Sequence, residues 1–357
     1  MSLDYRFFRD LLEVDSSSGR EQALTELLAR KLTADFPEAC LERLEVGDGT
    51  QNLLLSYGEP KVVFCTHLDT VPPYIAPRFL DAAGTECGPE GVVDRIFGRG
   101  ACDAKGQILS LYSACRQLYS EGRSGWALLL LSGEETGSHG AKAFARTGFE
   151  APWLIVGEPT EGKMVGACKG TLSYDLHFSG VPFHSGYPQW GRSAVELFTD
   201  FMIELEYADF PRDKVLGETS WNVGLLHSDN PQNVLSPALD CRLYFRTTFA
   251  SHAVVQKYMD GCRDRHLAGP EKGDGECRMS ATFRGGDTPA SYDTLPGFPQ
   301  GPAAFGSDAP HLSGFAHKII CGPGSIRHAH RDDEQISAPE LEAAAEQYVQ
   351  MFCALAD

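Results

Sequence analysis

Val62-Val63-Phe64-Cys65-Thr66-His67-Leu68-Asp69 opens as an unbroken apolar run and ends on an imidazole and a carboxylate. A run this apolar reads as a strand buried on both faces, the habit of parallel sheets covered by helices. The pattern recurs twice. Leu128-Leu129-Leu130-Leu131-Ser132-Gly133 runs into Glu134-Glu135, and Leu154-Ile155-Val156-Gly157 runs into Glu158-Pro159-Thr160. Ligands of open α/β sheets gather at the carboxyl ends of strands, so three such ends carrying His or Glu point to one functional edge.

Around these strands, helix and strand patterns alternate as in an α/β fold. Helices are expected over 4–12, 20–32, 105–119 and 138–146, and strands over 52–56, 61–66, 126–131 and 153–156. From about 166 the texture changes to alternating strands at 171–178, 220–226, 238–246 and 276–283, with helices over 192–207 and 251–267 between them. That βαββαβ order implies a ferredoxin-like α+β insertion. A strand at 318–321 and a helix at 338–355 return to the first texture. The expected organisation is therefore an α/β catalytic domain, 1–165 and 286–357, interrupted by a second domain, 166–285.

Composition narrows the class. A chain of 357 residues suggests two domains, and 31 Lys+Arg against 49 Asp+Glu give a formal charge of −18. Such a surface repels phosphate backbones and anionic lipid, so neither nucleic acid nor membrane is an expected partner. Met1-Ser2-Leu3-Asp4-Tyr5-Arg6 leads into an amphipathic helix pattern and not an apolar leader, and the expected location is cytoplasmic. The eleven cysteines lack CxxC spacing, and Cys65, Cys241 and Cys321 lie in apolar runs, so free thiols are expected.

The polar residues at the strand ends, with Asp103 in Gly98-Arg99-Gly100-Ala101-Cys102-Asp103-Ala104-Lys105-Gly106 and His330 in His330-Arg331-Asp332-Asp333-Glu334, form a set of imidazoles and carboxylates. This nitrogen and oxygen mix suits a hydrolytic zinc or related divalent ion, with a carboxylate left over as a base. Metal-bound histidines usually donate their second N–H to a carboxylate, so Asp69 reads as the orienter of His67, or else as a plain turn cap. Asp103 reads as a metal carboxylate or as a helix N-cap. Of Glu134 and Glu135, one can bind metal while the other takes a proton; the alternative is a solvated acidic turn before a helix.

In order along the chain, these blocks resemble the co-catalytic zinc aminoacylases and exopeptidases, the family of acetylornithine deacetylase, succinyl-diaminopimelate desuccinylase and glutamate carboxypeptidase. The resemblance implies a zinc-exopeptidase-like catalytic domain, with a mixed sheet between helices, interrupted by a ferredoxin-like lid and dimerisation domain. It implies two divalent ions, zinc first and cobalt or manganese as alternatives. His67 (in His67-Leu68-Asp69-Thr70-Val71-Pro72) and Glu158 would bind one ion, Asp103 would bridge, and Glu135 with His330 would bind the other. In the family it resembles, the late histidine stands four residues before the glutamate of an HxxxE block, and that implies His330, ahead of Glu334, over His328. Glu134 would be the general base, with Asp69 supporting the catalytic group. The resemblance also implies a cis peptide at Asp103-Ala104. In the insert, Ser179-Gly180-Val181-Pro182-Phe183-His184-Ser185-Gly186-Tyr187-Pro188 is similar to a lid motif whose histidine reaches the partner subunit's site to steady the oxyanion. Asn233 and Arg246 are spaced as the family's substrate-binding Asn-Val block and the strand Arg after it that grips the substrate carboxylate, although Arg246 could instead pair with a lid acid. Gly306-Ser307-Asp308 and Gly322-Pro323-Gly324-Ser325 resemble substrate loops.

The implied activity is hydrolysis of the amide of an N-acyl amino acid. The texture of the blocks is nearest to deacetylases of N-acetylornithine or of acetylcitrulline or acetyl-lysine, in arginine-type amino-acid biosynthesis. A dipeptidase, carboxypeptidase or succinyl-diaminopimelate desuccinylase would use the same machinery. A non-catalytic dimeric binding protein is the remaining alternative, disfavoured because it would have no need of Glu134. The expected partners are a small N-acyl amino acid or dipeptide and a second copy of the chain.

Overall fold

The computed structural model describes residues 3–47 and 49–356. Met1, Ser2 and Asp357, at the ends of the expected catalytic segments, lie outside the described residues. The chain divides into two compact units: Met1–Gly166, Tyr292–Gly301 and Ser307–Asp357 form the first, and Ala167–Ser291 with Pro302–Gly306 the second.

The first unit is built on a six-stranded mixed sheet in the order Cys40–Gly47, Thr50–Tyr57, Trp126–Leu131, Val62–His67, Ala151–Val156, Phe315–Ile320. The last four are parallel to one another, and the first two are antiparallel to their neighbours. Every residue of Val62–His67 and of Trp126–Leu131 is buried, as expected of central strands covered on both faces. One face carries the helices Tyr5–Glu13, Gln22–Asp35, Lys105–Ser120 and Ala338–Ala356, whose apolar sides pack with Leu53, Phe64, Leu128 and Ile155 into a single core. The helix His139–Ala145 packs on the strands Cys40–Gly47 and Thr50–Tyr57. Because Val62–His67 and Trp126–Leu131 run parallel in register, His67 ends level with Leu131, and both strands deliver their next residues to the same edge.

The second unit is a five-stranded antiparallel sheet ordered Ser220–His227, Ala238–Thr247, Gly170–Ser179, Cys277–Gly285, Asp264–Leu267. The helices Ala194–Glu206 and His252–Asp260 complete the βαββαβ order, and their apolar residues pack with Leu172, Leu176, Leu243 and Met279. Two details depart from the sequence reading. The helix expected over 251–267 stops at Asp260, and Asp264–Leu267 is an edge strand paired with Cys277–Ser280. The second unit also runs past 285: Ala290 and Ser291 pair with Cys168 and Ala167, and the amide of Asp287 donates to the Thr171 hydroxyl, so the first unit resumes only at Tyr292. Among the described residues no helix is long and apolar enough to cross a membrane.

Leu128 is fully buried within the first unit's core. Leu128→Ala should lower unfolding free energy by about 2 to 5 kcal/mol through lost burial and the cavity left behind. Urea unfolding followed by far-UV circular dichroism measures this, and a loss under 1 kcal/mol would show that the sheet centre is not where the core is tightest.

Candidate metal centre

The expected ligands converge at the carboxyl ends of the parallel strands. His67 is the last residue of its strand, and its Nε2 lies 3.0 Å from Asp103 Oδ1. Asp103 Oδ2 lies 3.3 Å from His330 Nε2, which in turn is 2.8 Å from Glu135 Oε1. Two ligand triads share Asp103: His67, Asp103 and Glu158 in one, and Asp103, Glu135 and His330 in the other. Within each, the ligand atoms lie within 4.8 Å of one another. A third grouping, His67, Glu134 and Glu135, meets the same limit and puts Glu134 beside both. His330, not His328, is the histidine of the cluster; His328 Nδ1 is buried with no hydrogen-bond partner. The backbone of His330 is left-handed, with φ +63°, a conformation few non-glycine residues adopt. The Asp103–Ala104 peptide is cis. Asp103 does not cap the following helix; Ala104 occupies that position without a side-chain cap.

Asp69 does something other than what the spacing suggested. His67 Nδ1 donates to the main-chain carbonyl of Asp69 at 2.9 Å, and the nearer Asp69 carboxylate oxygen is 3.5 Å away. A carbonyl can only accept, so Nδ1 carries a proton, and Nε2 is the ring nitrogen turned toward Asp103. The Asp69 carboxylate instead accepts from the amides of Glu134 (2.9 Å) and Glu135 (3.1 Å) and from the Ser18 hydroxyl (2.7 Å). It thus pins the turn on which both glutamates sit. Ser18 escaped the sequence reading because nothing in its neighbourhood marks a partner about fifty residues away.

The electrostatics are those of crowded carboxylates. Burial pushes Glu158 well above the usual range, reinforced by Asp103 and Glu134. Burial likewise raises Glu134, with Asp308, Glu135 and Asp103 adding to it and His67 opposing. Against the effect of burial, hydrogen bonds from His330 and His67 hold Asp103 far below the usual range. Asp308, in the loop similar to a substrate loop, is buried, and its Oδ1 lacks a hydrogen-bond partner. Burial lifts its carboxyl to about 6. Five acidic groups facing two imidazoles is an arrangement that divalent cations would neutralise, and the oxygen and imidazole donors suit zinc, cobalt or manganese. The residues present fit such ions.

The remaining expected site residues lie in the second unit. His184 is exposed in a loop, its Nδ1 accepting from the Gly186 amide at 3.0 Å. Asn233 lies beside it, its carbonyl accepting from the Ser185 amide at 2.9 Å. Arg246 stands on the strand Ala238–Thr247 with its guanidinium 5.1 Å from the Tyr244 ring centre.

Residues 63–262 match the model of peptidase family M20/M25/M40. A peptidase M20 domain-containing protein of Schizosaccharomyces pombe is 30% identical over 343 residues, covering 93% of this chain and 80% of the relative. The chain belongs to the M20/M25/M40 peptidase family. It is a metallohydrolase. A probable carboxypeptidase of Aspergillus oryzae is 29% identical over 377 residues, covering 96% of this chain and 85% of that one. Among solved structures, a tripeptidase from Staphylococcus aureus superposes with a TM-score of 0.77 at 16% identity, covering 99% of each chain. That likeness bears on the fold, and it spans both units. The relatives are peptidases and carboxypeptidases by name, a broader kinship than the deacetylase texture suggested.

Hydrogen bonds that His330 donates to Asp103 and Glu135 raise it to about 10, from an ordinary 6.5. In metal-free protein the stability this contributes is fully present below about pH 6.5 and is lost as pH rises through about 10. Urea titrations with chelator should therefore show parent stability falling more than that of His330→Ala over this window. Parallel profiles would show that the imidazole gains nothing from these carboxylates.

Proposed function

We propose that the chain hydrolyses an amide bond beside a free carboxylate, in a short peptide or an N-acyl amino acid, at a dinuclear site. His67 and Glu158 would hold one ion, Glu135 and His330 the other, and Asp103 both, with Glu134 as general base. The supporting observation is Glu134 itself: the two triads sharing Asp103 are complete without it, yet it lies within ligand distance of His67 and Glu135, on a turn pinned by Asp69. A binding protein would have no use for a half-buried spare carboxylate there. When bound, the ions supply Lewis acidity toward the scissile carbonyl and toward water. Glu134, whose raised affinity for protons suits the task, takes one from the attacking water and passes it to the departing nitrogen. Asp69 holds the base in place through the turn amides.

Arg246 and Asn233 would receive the substrate carboxylate. No acid among the described residues pairs with Arg246, which leaves its guanidinium fork available for a carboxylate. The carboxypeptidase names among relatives support a peptide substrate; the blocks around His67, Asp103 and Gly322-Pro323-Gly324-Ser325 support the second reading, deacetylation of N-acetylornithine or of acetylcitrulline or acetyl-lysine. All eleven cysteines are free, which fits the reducing cytoplasm. A homodimer through the second unit is supported by the edge strand Ser220–His227, paired on one side only and carrying the exposed Leu225 and Leu226. His184 would then act on the partner's substrate as an oxyanion donor.

Glu134→Gln should retain bound metal while kcat falls by roughly 10² to 10⁴ on whichever dipeptide or N-acyl amino acid proves active. Near-parent kcat would remove Glu134 from the base role. Dissociating and reassociating a mixture of His184→Ala and Glu134→Gln subunits should restore activity, since half the sites of a mixed dimer carry neither defect. No recovery despite proven exchange would confine His184 to its own subunit or to no role.

A further inference from the structure

We propose that the buried pair Arg99–Glu334 is the positioning device that keeps the Asp103 and His330 loops in register for metal binding. The inference rests on the dinuclear reading above. The side chains of Arg99 and Glu334 are 2% and 1% exposed, and Arg99 Nη1 donates to Glu334 Oε2 at 2.7 Å. Glu334 Oε1 accepts from the amides of Cys102 and Asp103, both at 3.0 Å. Arg99 Nη1 also donates to the carbonyl of Arg331 at 3.1 Å, and its Nε to the carbonyl of Pro73 at 3.1 Å. The Glu334 carbonyl closes the ring by accepting from the Gly98 amide at 3.1 Å.

Three stretches of backbone meet on this one pair: the Pro72-Pro73 turn beyond His67, the 98–103 loop that ends in Asp103, and the 331–334 segment that follows His330. Each adjoins a different proposed ligand. Asp103 is in contact with both histidines, so displacement of its backbone would disturb both triads together. Bulk stability does not account for the pair. Two desolvated charges are commonly replaced by apolar side chains of similar volume with little loss of stability, whereas a directional fork linking three loops is not reproduced by apolar packing. What the ion pair supplies, and hydrocarbon would not, is register. The spacing between His330 and Glu334 thereby acquires a physical reason: the loop residues between them span from the ligand to its anchor.

The test compares Arg99→Met/Glu334→Leu, which leaves no unpaired charge, with Glu334→Gln, which keeps an oxygen for the two amides but loses the charge facing Arg99. Melting temperature, cobalt(II) affinity by chelator competition, the cobalt d–d spectrum, and kcat and KM are measured for each. The double variant, which strips partners from the Cys102 and Asp103 amides, should melt below the parent, and its folded fraction should bind cobalt roughly 10- to 100-fold more weakly, as when outer partners of metal ligands are removed, with an altered spectrum and a lower kcat. Glu334→Gln, which leaves the buried Arg99 guanidinium without its counter-charge, should also melt below the parent, with a cobalt affinity between those of the parent and the double variant. A folded double variant with parent cobalt affinity and spectrum overturns the proposal, as does a variant that melts lower but binds cobalt normally in its folded fraction. If the double variant does not fold, Glu334→Gln decides by the same criteria. A parent protein that binds no cobalt would sink the dinuclear reading instead, and so the two failures are distinguishable.

Discussion

Like charges that cannot leave one another govern this molecule. Asp103, Glu134, Glu135, Glu158 and Asp308 converge around His67, and burial raises several of their carboxyls above the ordinary range. Such a cluster is a standing electrostatic cost to the fold, tolerable only where stiff surroundings hold it and where cations or protons relieve it. The stiffness comes from the parallel strands, whose apolar cores bury both faces. The relief comes in part from His67 and His330, each in contact with Asp103.

The fold solves a geometric problem set by that chemistry. Adjacent residues of a strand point to opposite sides, so no single strand could present this many donors to one point. Distributing them over three strand ends and three loops, those of Asp103, Asp308 and His330, lets each arrive from a different direction. Backbone amides then fix what side chains alone would leave loose: Asp69 takes those of Glu134 and Glu135, as Glu334 takes those of Cys102 and Asp103. Carboxylates in this unit thus divide into those facing the centre and those gripping the chain that carries them.

The strand ends were legible because buried parallel strands write themselves as unbroken apolar runs, and Val62–His67 and Trp126–Leu131 do so. The insertion was legible from the change to alternating residues. What escaped was set by partners distant in sequence. Asp264-Arg265-His266-Leu267 has no local signature separating it from the tail of a helix, and pairing with Cys277–Ser280 decides its state. The short sheet of Arg78–Leu80, Arg95–Phe97 and Gln335–Ser337 joins the two ends of the first unit and has no local pattern at all. The Asp69 carboxylate is held by two main-chain amides and the Ser18 hydroxyl, partners that composition and spacing do not reveal.

The first unit is discontinuous, and the whole second unit is threaded between Glu158 and His330. During synthesis the chain therefore emerges with His67, Asp103, both turn glutamates and Glu158 long before the last imidazole. Domains tend to form as units while the chain grows, and the inserted sheet can close before the enclosing one is finished. The proposed centre therefore lacks one flank while the inserted sheet is being made: the acids gathered at the first strand ends wait through a whole second unit for the imidazole that partners Asp103.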